Sequence, residues 1–184
     1  KIKKKKIKIS LQHGINKRSV SEITLCFILV SLRKIFFIIN QVKNNNWPFF
    51  AGREMTKKTL GIIGMGNIGR DLVKLIKPFK CNLLCYDIKP DYEYLKKNNL
   101  KNSKLSTVLK KSDIVTIHIP YNRKNLKLFS KKKLSQLKKN VTLINTSRGG
   151  IVDEQALFSF LNKNKQATAV FDVLNIEPPK KNKL

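Results

Sequence analysis

The run Gly64-Met65-Gly66-Asn67-Ile68-Gly69 constrains this chain most, because of what lies on either side of it. Thr59 to Ile63, before it, is a short apolar run of strand length. After it, Ile68, Leu72, Leu75, Ile76 and Phe79 recur at helical spacing. A second apolar run, Leu83 to Tyr86, completes a strand–helix–strand unit and ends at an acid, Asp87, 18 positions beyond Gly69. Each part of that pattern has a physical job. Gly64 permits the tight turn, Gly66 has no side chain to hold a pyrophosphate off the backbone, and Gly69 lets the helix lie close to the strand. The free N–H groups of Asn67 and Ile68 and the dipole at the helix start attract an anion. Asp87 is placed to accept hydrogen bonds from ribose hydroxyls and to repel a 2′-phosphate, so the unit is read as a dinucleotide site that favours NAD over NADP. A ligand-free structural turn is the competing reading, and Lys89, two residues past the acid, weakens the discrimination against a 2′-phosphate.

Strand and helix patterns keep alternating after this unit. Further apolar runs at Ile114 to Ile119, Val141 to Asn145 and Ala167 to Val173 are separated by helical patterns around Leu105 to Lys111, Lys131 to Leu137 and Asp153 to Leu161. Continuous apolar strands joined by helices imply a parallel sheet covered on both faces. The expected fold class is α/β, a Rossmann-type doubly wound parallel sheet with flanking helices, incomplete at its C-terminal end. Ahead of the glycine turn, Ile23 to Ile39 is strongly apolar, but Arg33 and Lys34 interrupt it short of the roughly 20 residues of a membrane span. Ser19, Ser21 and Glu22 suit a helix start, so one mostly buried helix is expected, followed by a linker at Asn44 to Pro48.

The formal charge of +28 would ordinarily point to nucleic acid. However, 33 of the 39 basic residues are lysines, spread along the chain among many asparagines and isoleucines, a mixture that fits drift toward A- and T-rich codons. A phosphate-reading face would use more arginine, with aromatics interleaved, so nucleic-acid binding is not expected. Cys26, Cys81 and Cys85 have neither paired nor zinc-ligand spacing, so neither a disulfide framework nor a zinc site is indicated, and a reducing, cytoplasmic setting is expected. Cys81 and Cys85 flank an apolar run and read as packing residues.

Four blocks, TLGIIGMGNIG with Asp87, SDIVTIHIP, LINTSRGGIVDEQAL and FDVLNIEPP, occur in an order that resembles the D-isomer-specific 2-hydroxyacid dehydrogenase family, over roughly His13 to Pro179. The resemblance implies an NAD-dependent hydride transfer between a D-2-hydroxy acid and its 2-keto acid. It places Arg148 on the substrate carboxylate and the carbonyl beside it, a role a guanidinium suits because it answers both a fixed anion and an oxygen gaining charge. It makes Glu177 the acid that orients and charges a catalytic histidine. It also sets Asp172 near the nicotinamide carboxamide, Thr146 and Ser147 in the same cleft, and His118 and Pro120 on the cofactor-side loop. Neither His13 nor His118 matches the proton-transfer position, so the catalytic histidine is expected to be absent and the chain to be a fragment: residues 1–12 a basic remnant of a substrate domain, and 13–184 a truncated NAD-binding domain, inactive alone. A homodimer of the full-length protein is implied by the resemblance only. Lys57 stands where the family usually has glycine, Ile23 replaces a common histidine, and Tyr121 to Asn125 alter the loop after HIP, which puts adenine and pyrophosphate contacts there in doubt. A non-enzymatic NAD-binding scaffold or sensor of the same fold is the alternative.

Overall fold

The computed structural model describes Gln12 and residues 14–179; the proposed remnant at 1–12, apart from Gln12, and His13 lie outside the described residues. Five parallel strands form one sheet: β1 (Thr59–Ile63), β2 (Asn82–Tyr86), β3 (Ile114–Ile117), β4 (Thr142–Asn145) and β5 (Thr168–Phe171), in the order β2-β1-β3-β4-β5. The expected Rossmann-type sheet is therefore present. Its register decides where the loops emerge. Ile63 pairs with Tyr86 and Ile117, Ile117 with Asn145, and Asn145 with Phe171, so all five strands end on one row. Gly64, Asp87, His118, Thr146 and Asp172 consequently leave the sheet side by side along one edge. The chain order reverses direction between β1 and β3, which is where open α/β sheets place their ligands.

Side chains alternate along the strands and feed two cores, one on each face. Leu60, Ile62, Ile114 and Ile144 pack with Ile28 and Leu32 of α1 (Lys17–Leu32) and with Leu72, Val73 and Ile76 of α3 (Asn67–Ile76). On the other face Ile63, Val115, Ile117 and Leu143 pack with Val108 and Leu109 of α5 (Leu105–Lys111), Leu134 of α6 (Lys131–Leu134) and Leu157 of α7 (Glu154–Lys163). Each such fully buried aliphatic side chain is worth about 2 kcal/mol. Cys85 is buried as expected, with burial pushing its thiol up to about 12, whereas Cys81 is half-buried and Cys26 exposed.

One sequence expectation is corrected and one element is added. The apolar stretch at Ile23 to Ile39 is not one buried helix: α1 starts at Lys17 and stops at Leu32, and a second helix, α2 (Ile35–Lys43), follows a left-handed Lys34 and buries none of its residues. The break has a tertiary cause. The Leu32 carbonyl, which a continuous helix would offer to Phe36, accepts instead from the N–H of Arg53, and Phe50 packs on Lys34 and Phe37. The added element is α4 (Tyr92–Lys97), a short helix that apolar spacing did not mark, capped by Asp91 accepting from the Tyr94 N–H. Among the described residues no helix is long and apolar enough to cross a membrane.

Candidate functional site

The glycine turn is held from three sides. Gly64 takes φ +100°, and a Cβ there would meet the His118 carbonyl oxygen at 2.5 Å, so β3 presses directly against the turn. A Cβ on Gly69 would overlap the Gly64 carbonyl, which seats α3 against the end of β1. Gly66 differs: it caps α3 without a side-chain hydrogen bond, and a Cβ there would meet nothing within 4 Å. The residue type at 66 is thus not dictated by protein packing, and the space beside it is open for an anion at the uncapped helix start.

Asp87, half-buried, accepts from the Met65 N–H at 2.7 Å through one carboxylate oxygen and from the Lys89 N–H at 2.8 Å through the other. Its backbone is clamped by Asn102, whose side chain accepts from the Asp87 N–H and donates to the Asp87 carbonyl. The acid is therefore fixed beside the turn by a residue that sequence reasoning passed over.

Across the sheet edge from the turn opens a cleft of about 1020 Å³. Its walls bring together Gly66, Asn67 and Ile68 of α3, His118 and Pro120 after β3, Thr146, Ser147 and Arg148 after β4, and Glu177 beyond β5. Most of the residues singled out by sequence thus meet in one place. Gly64 and Gly69 shape the turn beneath it, and Asp87 stands beside the turn. Asp172 is the exception: it is exposed and does not line the cleft, since its N–H bonds back to the Asn145 carbonyl at the edge strand and its neighbours Val173 and Leu174 form the wall. The cleft also includes residues with no sequence signal, among them Gly14 and Asn16 just ahead of α1 and Val20 in its first turn. They arrive because α1 packs along α3, tied by Arg18 to the buried Asp71 at 3.1 Å.

The loop after β4 is organised by Asn145, which is 1 % exposed. Its Oδ1 accepts from both the N–H and the hydroxyl of Ser147, and its Nδ2 donates to the Arg148 carbonyl. Arg148 itself is exposed, with one guanidinium nitrogen donating to the Ser147 carbonyl at 2.6 Å and the remaining donors turned to no described acceptor. A Cβ on Gly149 would overlap the Leu174 carbonyl, so this loop lies directly against the one carrying Glu177. Glu177 accepts from the Leu174 N–H at 2.8 Å. Lys57, in the glycine position of the family pattern, adopts φ +64°, so the backbone keeps the conformation that glycine takes more readily.

His118 is 9 % exposed, and neither ring nitrogen has a hydrogen-bond partner. Burial pushes its pKa down to about 4, so at neutral pH the ring is neutral, with one N–H donor and one acceptor. An open Gly66 and an uncapped helix start are together what the phosphates of a bound nucleotide would satisfy. Among the described residues no group of histidine, cysteine and acid side chains could hold a metal.

Comparison with known proteins agrees with this geometry. Residues 25–184 match the family model for the D-isomer specific 2-hydroxyacid dehydrogenase, NAD binding domain. The chain is 34 % identical over 168 residues to the D-3-phosphoglycerate dehydrogenase of Archaeoglobus fulgidus, a match covering 90 % of this chain and 32 % of that one. It is 32 % identical over 182 residues to the hydroxypyruvate reductase of Thermotoga maritima, covering 97 % of this chain and 58 % of the relative. The crystal structure of D-lactate dehydrogenase from Aquifex aeolicus in complex with NAD and lactic acid superposes with a TM-score of 0.85 at 31 % identity, over 94 % of this chain and 53 % of that one. The chain spans about a third to somewhat over half the length of these proteins.

Proposed function

The chain belongs to the D-isomer specific 2-hydroxyacid dehydrogenase family through its NAD-binding domain, and on that premise we propose that it holds NAD for hydride exchange with a D-2-hydroxy acid or its 2-keto acid. The observation that carries the reading is the uncapped start of α3 above an open Gly66, facing the same cleft as Arg148. The N–H groups of Asn67 and Ile68 receive the pyrophosphate, with Gly64 and Gly69 setting the turn. Asp87 receives the ribose hydroxyls and gives NAD its advantage over NADP. His118, Pro120, Thr146 and Ser147 bound the nicotinamide end. The cofactor, when bound, supplies or takes the hydride at the substrate C2.

Arg148 binds the substrate carboxylate and polarises the neighbouring carbonyl, and its free guanidinium donors in an open cleft suit that task. Glu177 orients a histidine that donates or accepts the proton. Among the described residues the one imidazole is His118, which is buried, held neutral and without a bond to Glu177, so it does not fill that role. In the full-length protein a second copy covers the exposed apolar side of α2.

Isothermal titration of the 184-residue chain with NAD tests the reading. Saturable binding is expected, with no NADH oxidation on adding a 2-keto acid. Gly66→Val should weaken NAD binding at least about tenfold, because its side chain fills the space meant for phosphate, while leaving the unfolding midpoint nearly unchanged, because that space holds no protein atom. Equal affinity in the variant would contradict the pyrophosphate assignment, and turnover by the chain alone would contradict only the expected inactivity.

A further inference from the structure

The glycine turn is gripped at both peptide planes that flank Met65. The plane before it is held by Asp87, which accepts from the Met65 N–H at 2.7 Å. The plane after it is held by Arg70 of α3, whose Nε donates to the Met65 carbonyl at 2.9 Å. The same guanidinium is fixed in turn by α4. Its Nη2 lies 3.0 Å from Asp91 Oδ2, its central carbon sits 4.6 Å from the centre of the Tyr94 ring, and the Tyr94 hydroxyl donates to the Arg70 carbonyl at 3.2 Å. Arg70 and Asp91 are both partly exposed, so their ion pair adds little to stability by itself. What sets the cluster apart is that one planar, forked side chain serves the turn and α4 at once, which the single ammonium of a lysine does not do in that geometry.

Such a hold matters because of Gly66. With no Cβ, and no protein atom within 4 Å of where one would stand, Gly66 sets no steric barrier to rotation of the Met65–Gly66 peptide. The bond is trans, so its C=O and N–H point in opposite directions, and a rotated plane would bring the carbonyl oxygen to where the N–H had been. Next to an anion, that exchange replaces a donor with repelling lone pairs. Gly66 lines the cleft, whereas Met65 and Arg70 do not. We infer that Arg70, braced by Asp91 and Tyr94, is a positioning residue for the phosphates of the dinucleotide: it draws the Met65 carbonyl to the protein side and keeps the turn in the state that accepts an anion at the start of α3. The short helix α4 thereby acquires a task, as the support on which Arg70 rests. The inference rests on the NAD-binding reading above.

The test is a set of titrations of the chain with NAD and with ADP-ribose, which carries the pyrophosphate but no nicotinamide, at a temperature where each variant is folded. Arg70→Met is expected to weaken both ligands about tenfold, the worth of one hydrogen bond from a charged donor. Asp91→Asn separates bracing from charge. Asparagine still caps α4, and removing an acid near the site would strengthen anion binding if charge alone acted, whereas loss of the brace weakens it by about threefold. Because Asp91 acts through Arg70, Asp91→Asn should cost nothing further in a chain that already carries Arg70→Met. Stronger or unchanged binding in Asp91→Asn, losses that simply add in the double variant, or a loss for NAD that ADP-ribose does not share would overturn the inference. Should Arg70→Met not fold, Arg70→Lys, which keeps the charge but does not hold Met65 and Asp91 together, must show the same loss. If the unaltered chain binds neither ligand, the NAD-binding reading itself fails, a result separate from binding that these variants leave undisturbed, which removes only the brace.

Discussion

His118 is the residue whose surroundings speak most directly to pH. Its folded pKa of about 4 lies below the usual histidine value of about 6.5, so the unfolded chain takes up a proton in that interval that the folded chain refuses. The sign follows: no penalty above pH 6.5, and a progressive loss of stability as pH falls from there to about 4, on the order of 3 kcal/mol in total. Denaturant unfolding at pH 7 and pH 4.5 should show that fall, and His118→Asn should flatten it over the same interval. A variant as acid-sensitive as the parent chain there would place the titrating group elsewhere. Arg148 illustrates a different kind of residue-level control. Its position is set less by its own side chain than by Asn145, whose three hydrogen bonds build the loop that presents it. The asparagine closes strand β4 in the sequence pattern and carries no mark of that duty.

Among the elements, α2 is the one whose environment is incomplete. Ile35, Phe36, Phe37, Ile39 and Val42 are exposed, and Trp47 and Phe49 beside them are 89 % and 98 % exposed. Apolar side chains gathered in this way mark a surface that is covered in use, in accord with the proposed second copy of the full-length protein. Sedimentation of that protein is expected to give a dimer, and Phe36→Glu with Phe37→Glu should convert it to monomer without disturbing NAD binding, since neither residue lines the cleft. A dimer persisting in the double variant would remove α2 from the interface. The contrasting element is α3, whose apolar spacing, glycines and close contact with β1 all specify the same geometry.

At the scale of the whole molecule, the strands are clamped at the end of the sheet away from the cleft. That end carries Asp113, whose carboxylate accepts from the Thr59 N–H at 2.8 Å and from Lys138 at 2.7 Å, joining the start of β1 to the approach to β4. Burial acts to raise its pKa, but the Lys138 hydrogen bond, the Thr59 N–H and the charges of Lys138 and Lys58 outweigh burial and hold it below the usual carboxylate range. Its stabilisation is therefore complete above the unfolded carboxyl value near 3.9 and is lost as pH falls through the lower folded value. Asp113→Asn should cost about 2 kcal/mol at pH 7 and progressively less in strong acid, as read from urea midpoints. A constant cost across that range would argue against the ionised clamp.

Local order in the chain is sufficient for the strand–turn–helix unit, because the signals that make it are short-range: apolar spacing, a glycine that allows positive φ at 64, and an acid at the end of the next strand. Alternating strands and helices likewise fix the class of fold, and the motif blocks fix the family. Tertiary structure decided the rest. The break between α1 and α2 depends on a carbonyl taken by Arg53, 21 residues beyond Leu32. The exposure of Asp172 depends on its place at an edge strand. The seating of Thr146 against α1 depends on its hydroxyl meeting that of Thr24 across 122 residues of chain. Each of these is a pairing between distant groups, and a hydrogen bond's direction is settled only when both partners and their other bonds are in place.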